Sequence, residues 1–314
     1  MADAVAAVDI GGTKTTVALV DASETIVDRA TASTPGRIGG AAIVDLVAAL
    51  TTSLVERHGA ALRGVGVATA GVVDTSTGTI VSATDTLRGW VGMPLGAAVR
   101  AALGEHLEGS APITVQNDVD AHALGEYLCG AGRGASSLLT VAVGTGVGGG
   151  LIVEGRPWRG AHHVAGEIAH MPVPGAEHLR CPCGRMGHLE AIGGGLGLLR
   201  HYRWLGGDPA VVDTRAVAAR AADDLTAGRA IADAAGAVGR ALAGAATLLD
   251  PEVIVVTGGV ADIGPVWWHP MEAAFRATVI DALAGVPVHP GGLGADAPLR
   301  GAAASAWADV AVAA

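Results

Sequence analysis

Two short segments concentrate the residue types that do chemistry. The stretch GEIAHMPVPGAEHLRCPCGRMGHLEA, residues 166–191, holds two of the chain's three cysteines, three of its eleven histidines and three glutamates. Thiols and imidazoles gathered this closely suggest a metal site; the alternative is a metal-free loop with two buried thiols. Glu167 and His170 are three residues apart, so one helical turn would put both on one face. Short carboxylates and amides are natural partners for a ligand rich in hydroxyls. The second segment, QNDVD at 116–120, sets Asn117 and Asp118 at the end of an apolar run. A carboxylate there could take a proton from a substrate hydroxyl during phosphoryl transfer, or the pair could simply cap the following helix.

Three glycine turns supply places for phosphate. DIGGTKT (9–15) has a Gly-Gly turn that lets backbone N–H groups approach an anion, with the Thr13 hydroxyl and Lys14 charge beside it. It lacks the GxxxxGK[ST] spacing of a Walker loop, and by itself it could be an ordinary hairpin turn. GTGVGGG (144–150) runs on into the apolar strand LIVEG, which argues against a dinucleotide-binding Rossmann turn. VTGGVAD (256–262) follows another apolar strand and suits a flat adenine or ribose.

The elements that must hold these residues follow from the pattern of apolar runs. The start reads strand, turn, strand (AVAAVDIGGTKTTVALVD), followed by a helix over GAAIVDLVAALTTSLVERHG. Strands GVGVATAG and GTIVSAT come next, then a helical region at 91–108, the short strand PITVQND and the helix AHALGEYLCGA. The opening hairpin then returns at LLTVAVGTGVGGGLIVEG: a shift of 133 residues places Gly11 on Gly144 and Val17–Asp21 on Gly150–Glu154. This predicts two related α/β domains from a duplication. Helical stretches TRAVAARAADDLTAG and RAIADAAGAVGRALAGAATLLD, a strand EVIVVTGG and a closing helix complete the chain.

Composition narrows the function. Half the residues are hydrophobic and only 3% aromatic, so an aliphatic core is expected. A net charge of −10 disfavours nucleic acid and offers no basic patch for a membrane. No apolar run reaches transmembrane length, Asp3 stands where a signal peptide would be basic, and the cysteines form no disulfide framework. A cytoplasmic enzyme is the expectation.

Taken in order, DIGGTK, ND before a helix, GTGVGGG, GE-x-x-H and CxCGxxG-x-x-E resemble the ROK family of repressors, open reading frames and sugar kinases, from Val5 to about Ala306. The resemblance implies a two-domain hexokinase/actin-like (ribonuclease H-like) α/β fold with a duplicated core and a cleft between domains. The expected small domain is 1–117, with a C-terminal helix of about 298–314 packing back on it; the large domain is 118–297 and carries a zinc loop. It implies Asp118 as the general base and Gly71, Asn117, Glu167, His170 and Glu190 as sugar contacts. Asp9, Gly12, Thr13 and Lys14 match the first phosphate loop, Gly144, Thr145 and Gly146 the second, and Gly258 and Gly259 the adenosine motif. ATP and Mg²⁺ are the implied cofactors, with a structural Zn²⁺ on His170, Cys181 and Cys183. His188 stands where the family has a third cysteine, and zinc accepts Cys₂His₂ as readily as Cys₃His.

The chain departs from the family pattern at Thr86, where the sugar loop usually has Asn, at Ala169 for Gly, and at Ala70 for Pro. These bear on which sugar is taken more than on the reaction. His162, His163 and His178 are expected at the surface or behind the ligands, and Cys129 in the core. The sequence therefore reads as an ATP-dependent hexose kinase, with small-molecule hexose and nucleotide as partners, assembled as a homodimer or homotetramer. Glucose is the first choice of sugar. N-acetylmannosamine, N-acetylglucosamine, mannose or another hexose stays open, as does polyphosphate as donor. A sugar-sensing regulator would need a DNA-binding domain, and only eight residues precede Asp9. A non-catalytic sugar-binding protein would not need Asp118 together with both phosphate loops.

Overall fold

The structure is a computed structural model that describes residues 2–84 and 86–313, with the backbone alone for residue 313. Met1 and Ala314, the outer ends of the domain ranges drawn above, lie outside the described residues. Contacts divide the chain into two compact units: Met1–Gly130 with Arg159–Val164 and Ala295–Ala314, and Ala131–Trp158 with Ala165–Gly294.

In the first unit, β1 (Asp3–Ile10), β2 (Lys14–Asp21) and β3 (Ile26–Ser33) form an antiparallel meander. After α1 (Gly40–His58), β4 (Ala61–Thr69) joins β1 in parallel. The small ribbon β5 (Val72–Asp74) and β6 (Thr79–Ser82), then α2 (Leu95–Leu103), lead to β7 (Ile113–Asn117), parallel to β4, and to α3 (Asp118–Cys129). The sheet order is β3-β2-β1-β4-β7. β1 is apolar at nearly every position because both of its faces are covered. Ala4, Ala6, Val8 and Ile10 pack with Ile43, Val47 and Leu54 of α1 and with Leu95 and Val99 of α2. Val5 and Ala7 join the opposite cluster of Ala121 with Leu299, Ala302 and Ala306 from the C-terminal helix, Ala297–Ala313.

That second face depends on very close backbones. A Cβ at Gly301 of the C-terminal helix would strike the backbone of Ala121 on α3. Gly301→Ala is therefore expected to destabilise the first unit by about 1–3 kcal/mol, as overpacking does where backbone must move. A urea melt reads this directly, and an unchanged midpoint would mean that the helix can retreat freely.

The second unit repeats the pattern. β8 (Ser137–Val143), β9 (Val147–Val153) and β10 (Arg156–Pro157) form the meander. Helices α4 (Leu189–Gly193), α5 (Gly195–Trp204), α6 (Thr214–Arg220) and α7 (Leu225–Leu249) precede β11 (Val253–Thr257), which joins β8 in parallel. α8 (Pro265–Thr278) and β12 (Val288–Pro290) complete the order β10-β9-β8-β11-β12. The shift of 133 carries Ile10 onto Val143 and Lys14 onto Val147, so the two hairpins turn at matching places.

Two local expectations need correcting. The helical stretch at 214–228 breaks after Arg220 because Asp224 caps α7, its carboxylate accepting from the Thr226 and Ala227 N–H groups. Cys129, at the end of α3, is half-buried instead of core. α3 packs with the C-terminal helix within the first unit. Among the described residues no helix is long and apolar enough to cross a membrane.

Candidate active site

In the first unit the chemistry gathers where β1, β4 and β7 end. Asn117, the last residue of β7, is the N-cap of α3: its Oδ1 accepts from the Val119 and Asp120 N–H groups at 2.8 and 3.2 Å. Its Nδ2 donates to the Gly71 carbonyl at 2.9 Å. Capping thus occupies the Asn117 oxygen, and its amide nitrogen serves the Gly71 carbonyl and the Asp118 carboxyl. Asp118, the first residue of the helix, accepts from the Val119 N–H at 3.0 Å. Asp118 is half-buried, and desolvation raises its pKa above the usual carboxylate range against the hydrogen bonds that lower it. The Ala70–Gly71 loop is held from a second side by buried Trp90, whose indole N–H donates to the Ala70 carbonyl at 3.1 Å.

Asp9, at the end of β1, is pushed up to about 7, first by burial and then by the charge of Asp118, with Lys14 opposing. The hairpin that follows is fixed by its own backbone and by Thr34, which donates from its N–H to the Thr13 carbonyl and from its hydroxyl to the Gly11 carbonyl. Gly12 packs against the Thr86 side chain. A polar hollow of about 570 Å³, lined by Gly12, Thr13, Thr34, Arg37 and Thr86 among others, adjoins this turn.

The second unit holds the other candidates. The Gly144–Gly146 turn closes on itself, Gly144 N–H to Gly146 carbonyl at 2.9 Å, and is docked on the start of α5, where Gly195 and Leu196 donate to the Gly144 and Thr145 carbonyls. The third glycine turn lies beside it. Gly258 (φ +98°) packs directly on the Val143 backbone, where any side chain would clash, and the Val260 N–H donates to the Val143 carbonyl at 2.9 Å. Two of the three predicted phosphate and nucleotide turns therefore adjoin in one unit.

Between residues 166 and 191 the chain makes one short helical turn, Ile168–His170, then doubles back as a compact knuckle. Leu189 N–H bonds to the Met171 carbonyl, Gly187 to Leu179, and Cys181 to Arg185, which brings the two ends of the loop together. Glu167 Oε2 lies 3.6 Å from His170 Nε2. On the far side of that ring, His170 Nδ1 lies 3.6 Å from Cys181 Sγ, which is itself 3.6 Å from Glu190 Oε2. Cys183 Sγ lies 3.3 Å from His188 Nδ1. The Glu190 carboxylate rests against Gly146 of the phosphate turn.

The four groups His170, Cys181, Cys183 and His188 place one ligand atom each within 4.8 Å of one another. Zinc bonds of about 2.3 Å to sulfur and about 2.0–2.1 Å to nitrogen give tetrahedral S···N edges of about 3.6 Å. The two observed S···N separations, 3.6 and 3.3 Å, fit that figure. The donor set thus suits zinc, with both imidazoles meeting it through Nδ1.

Gln116, Asp120 and Arg159, which form a polar network around Asn117 and Asp118, were not given roles by sequence reasoning. Only a tertiary contact distinguishes them from ordinary polar residues. Of the spare histidines, His163 faces Asp74 at 3.8 Å in the first unit, and His178 stacks on Trp204 and meets His201 at 3.4 Å.

Comparison with known proteins sorts these observations. A family model of the ROK family matches residues 5–309. A glucokinase of Halalkalibacterium halodurans is 33% identical over 88% of this chain and 86% of its own. Among solved structures, a ROK hexokinase of Thermus thermophilus superposes with a TM-score of 0.85 at 31% identity, covering 98% of this chain and 99% of that one. A ROK glucokinase of Streptomyces griseus, solved with glucose and AMPPNP, gives 0.81 at 30% identity over 97% and 99%. The matches agree with the mixed α/β fold of duplicated sheets, and the chain belongs to the ROK family and is a sugar kinase.

Proposed function

We propose that the chain transfers the γ-phosphoryl of ATP to a hexose hydroxyl, with Asp118 as the general base. The observation that carries this is the half-buried Asp118 carboxyl at the strand–helix junction, with its pKa raised by desolvation and Asp9 of the phosphate hairpin near enough to feel its charge. A base whose pKa is moved toward neutrality accepts a hydroxyl proton more effectively than an ordinary surface carboxylate. Two half-buried carboxylates that repel each other also suit a divalent cation. Asp9 would hold Mg²⁺, which supplies charge neutralisation for the transferred phosphoryl group.

The remaining candidates divide the work by chemistry. Gly12, Thr13, Lys14 and the Gly144–Gly146 turn offer backbone N–H groups, hydroxyls and one ammonium to phosphates. Gly258 and Gly259 would lie along the nucleoside. In the second unit Glu167, Glu190 and the His170 Nε2 would serve sugar hydroxyls, oriented by the zinc knuckle, and in the first unit the Asn117 amide would do the same. Glucose is the favoured sugar because two of the relatives named above are glucokinases, one holding glucose. An N-acetylhexosamine or mannose is the alternative, since Thr86 replaces an amide of the usual sugar loop.

A coupled assay for ADP across a panel of hexoses tests the reading. Hydrolysis of ATP is expected to be slow alone and to rise by about tenfold or more with the right sugar, because the acceptor hydroxyl completes the site. Glucose should give the highest kcat/KM. Vigorous ATP hydrolysis indifferent to every sugar would overturn the acceptor assignment.

A further inference from the structure

Six residues, Arg159–Val164, leave the second unit's run of sequence and pack with the first unit, after which the chain enters Glu167 and His170. Both ends of this strap contact residues of the first unit. At one end the Arg159 Nη2 donates to Gln116 Oε1 at 2.8 Å, and its Nε lies 3.2 Å from Asp120 Oδ2. Gln116 is 2% exposed and Asp120 is 7% exposed, so this guanidinium hydrogen-bonds one buried acceptor and forms an ion pair with a second, its Nε making no hydrogen bond. Gln116 and Asp120 flank Asn117 and Asp118 directly. Gln116 is anchored in turn, its Nε2 donating to Ser305 Oγ at 3.0 Å and toward the Gly301 carbonyl at 3.4 Å. At the other end His163 sits 3.8 Å from Asp74, on the ribbon that follows the Gly71 loop. His163 holds φ +59°, uncommon for a residue with a side chain. Such a conformation persists where the surroundings impose it.

We infer that Arg159 is a positioning residue for phosphoryl transfer: its fork clamps Gln116 and Asp120, fixes the strand–helix junction, and so sets the angle at which Asp118 meets the acceptor hydroxyl. The inference rests on Asp118 being the base proposed above. Asp118 accepts from a backbone N–H at its own helix start, Asn117 caps the same turn and holds the Gly71 carbonyl, and α3 packs on the C-terminal helix. The Arg159 guanidinium adds a side-chain tie across the strand–helix joint, a hydrogen bond to Gln116 on β7 and an ion pair with Asp120 on α3. A displacement of about 1 Å at a reacting group costs on the order of 10²-fold in rate.

The test is a double-mutant cycle on the full chain. Arg159→Met is expected to lower kcat by about 10- to 100-fold and to change sugar KM by less than about threefold. In the Asp118→Asn background the same change should lower the residual rate by less than about threefold, because the group it positions is gone. Arg159→Lys, which keeps the charge and loses the fork, should fall between, and it carries the same cycle if the methionine variant does not fold. Equal losses in both backgrounds would show that Arg159 acts on stability or on another group, and the inference fails. No loss in the Asp118 background sinks it as well. If Asp118→Asn alone keeps full kcat, the base assignment falls and this role falls with it.

Discussion

Asp118→Asn is expected to lose about 10²- to 10⁴-fold in kcat while sugar affinity changes little. The amide keeps the size of the carboxylate and can still accept from the Val119 N–H, so the start of α3 should survive. What it cannot do is take the hydroxyl proton. The pH dependence gives an independent reading. The base works when ionised, so kcat rises with pH through the Asp118 pKa. Because burial raises that pKa, the acid limb should lie above the usual carboxylate range, and it should be absent from the Asn variant. Asp9 complicates the limb in a predictable direction. It is pushed up to about 7 by burial and by Asp118, so removing the Asp118 charge should let Asp9 ionise more easily. A variant that retains near-normal kcat with an unchanged acid limb would remove Asp118 from the chemistry.

Much of this arrangement is legible in the sequence, for identifiable physical reasons. β1 and β8 are covered on both faces, so they read as unbroken apolar runs, and the glycine turns that follow them mark a repeat at fixed offset. The pair Asn117–Asp118 by itself reads as a helix cap, which Asn117 is; only the family resemblance gives Asp118 a role as base. Elements with weaker patterns escape. β3 alternates half-buried and exposed residues along its whole length, so IVDRATAS looks like any polar connector. α8 carries Pro270 inside it and buries only Trp267, Met271 and Phe275, which blurs its stripe. The strap from Arg159 to Val164 is invisible for a different reason. Nothing in RGAHHV has a period, and its membership of the first unit is a matter of which buried acceptors its guanidinium reaches. The sequence shows that Glu167 and His170 share a turn. It does not show that the turn is a single short one, nor that the two nitrogens of His170 face opposite ways.

That last point leads to the zinc knuckle, where a large effect is expected from one atom. Cys181→Ser should release the metal and raise KM for sugar by about tenfold or more, while KM for ATP changes by less than about threefold. Structural zinc in small peptides contributes apparent binding energies of about 10–16 kcal/mol at neutral pH, and loss of one thiolate removes much of that. The cost should fall on the sugar because of where the knuckle's ends lie. Cys181 sits between His170 on one side and Glu190 on the other, each at 3.6 Å, and Glu167 faces the outer nitrogen of the same His170 ring. Four protein ligands leave no position for a reacting oxygen, so a zinc bound here would hold carboxylates in place and not activate water. The histidine at position 188 supplies the control. His188→Cys restores a three-cysteine set, which zinc accepts equally, so metal content and sugar KM should both stay near those of the parent. Metal analysis of the purified proteins decides between outcomes. About one zinc per chain in the parent and the His188→Cys variant, and little in Cys181→Ser, is the expected result. A parent protein without zinc, or a Cys181→Ser variant with unchanged sugar KM, would show that the hydrogen bonds across the knuckle suffice without a metal.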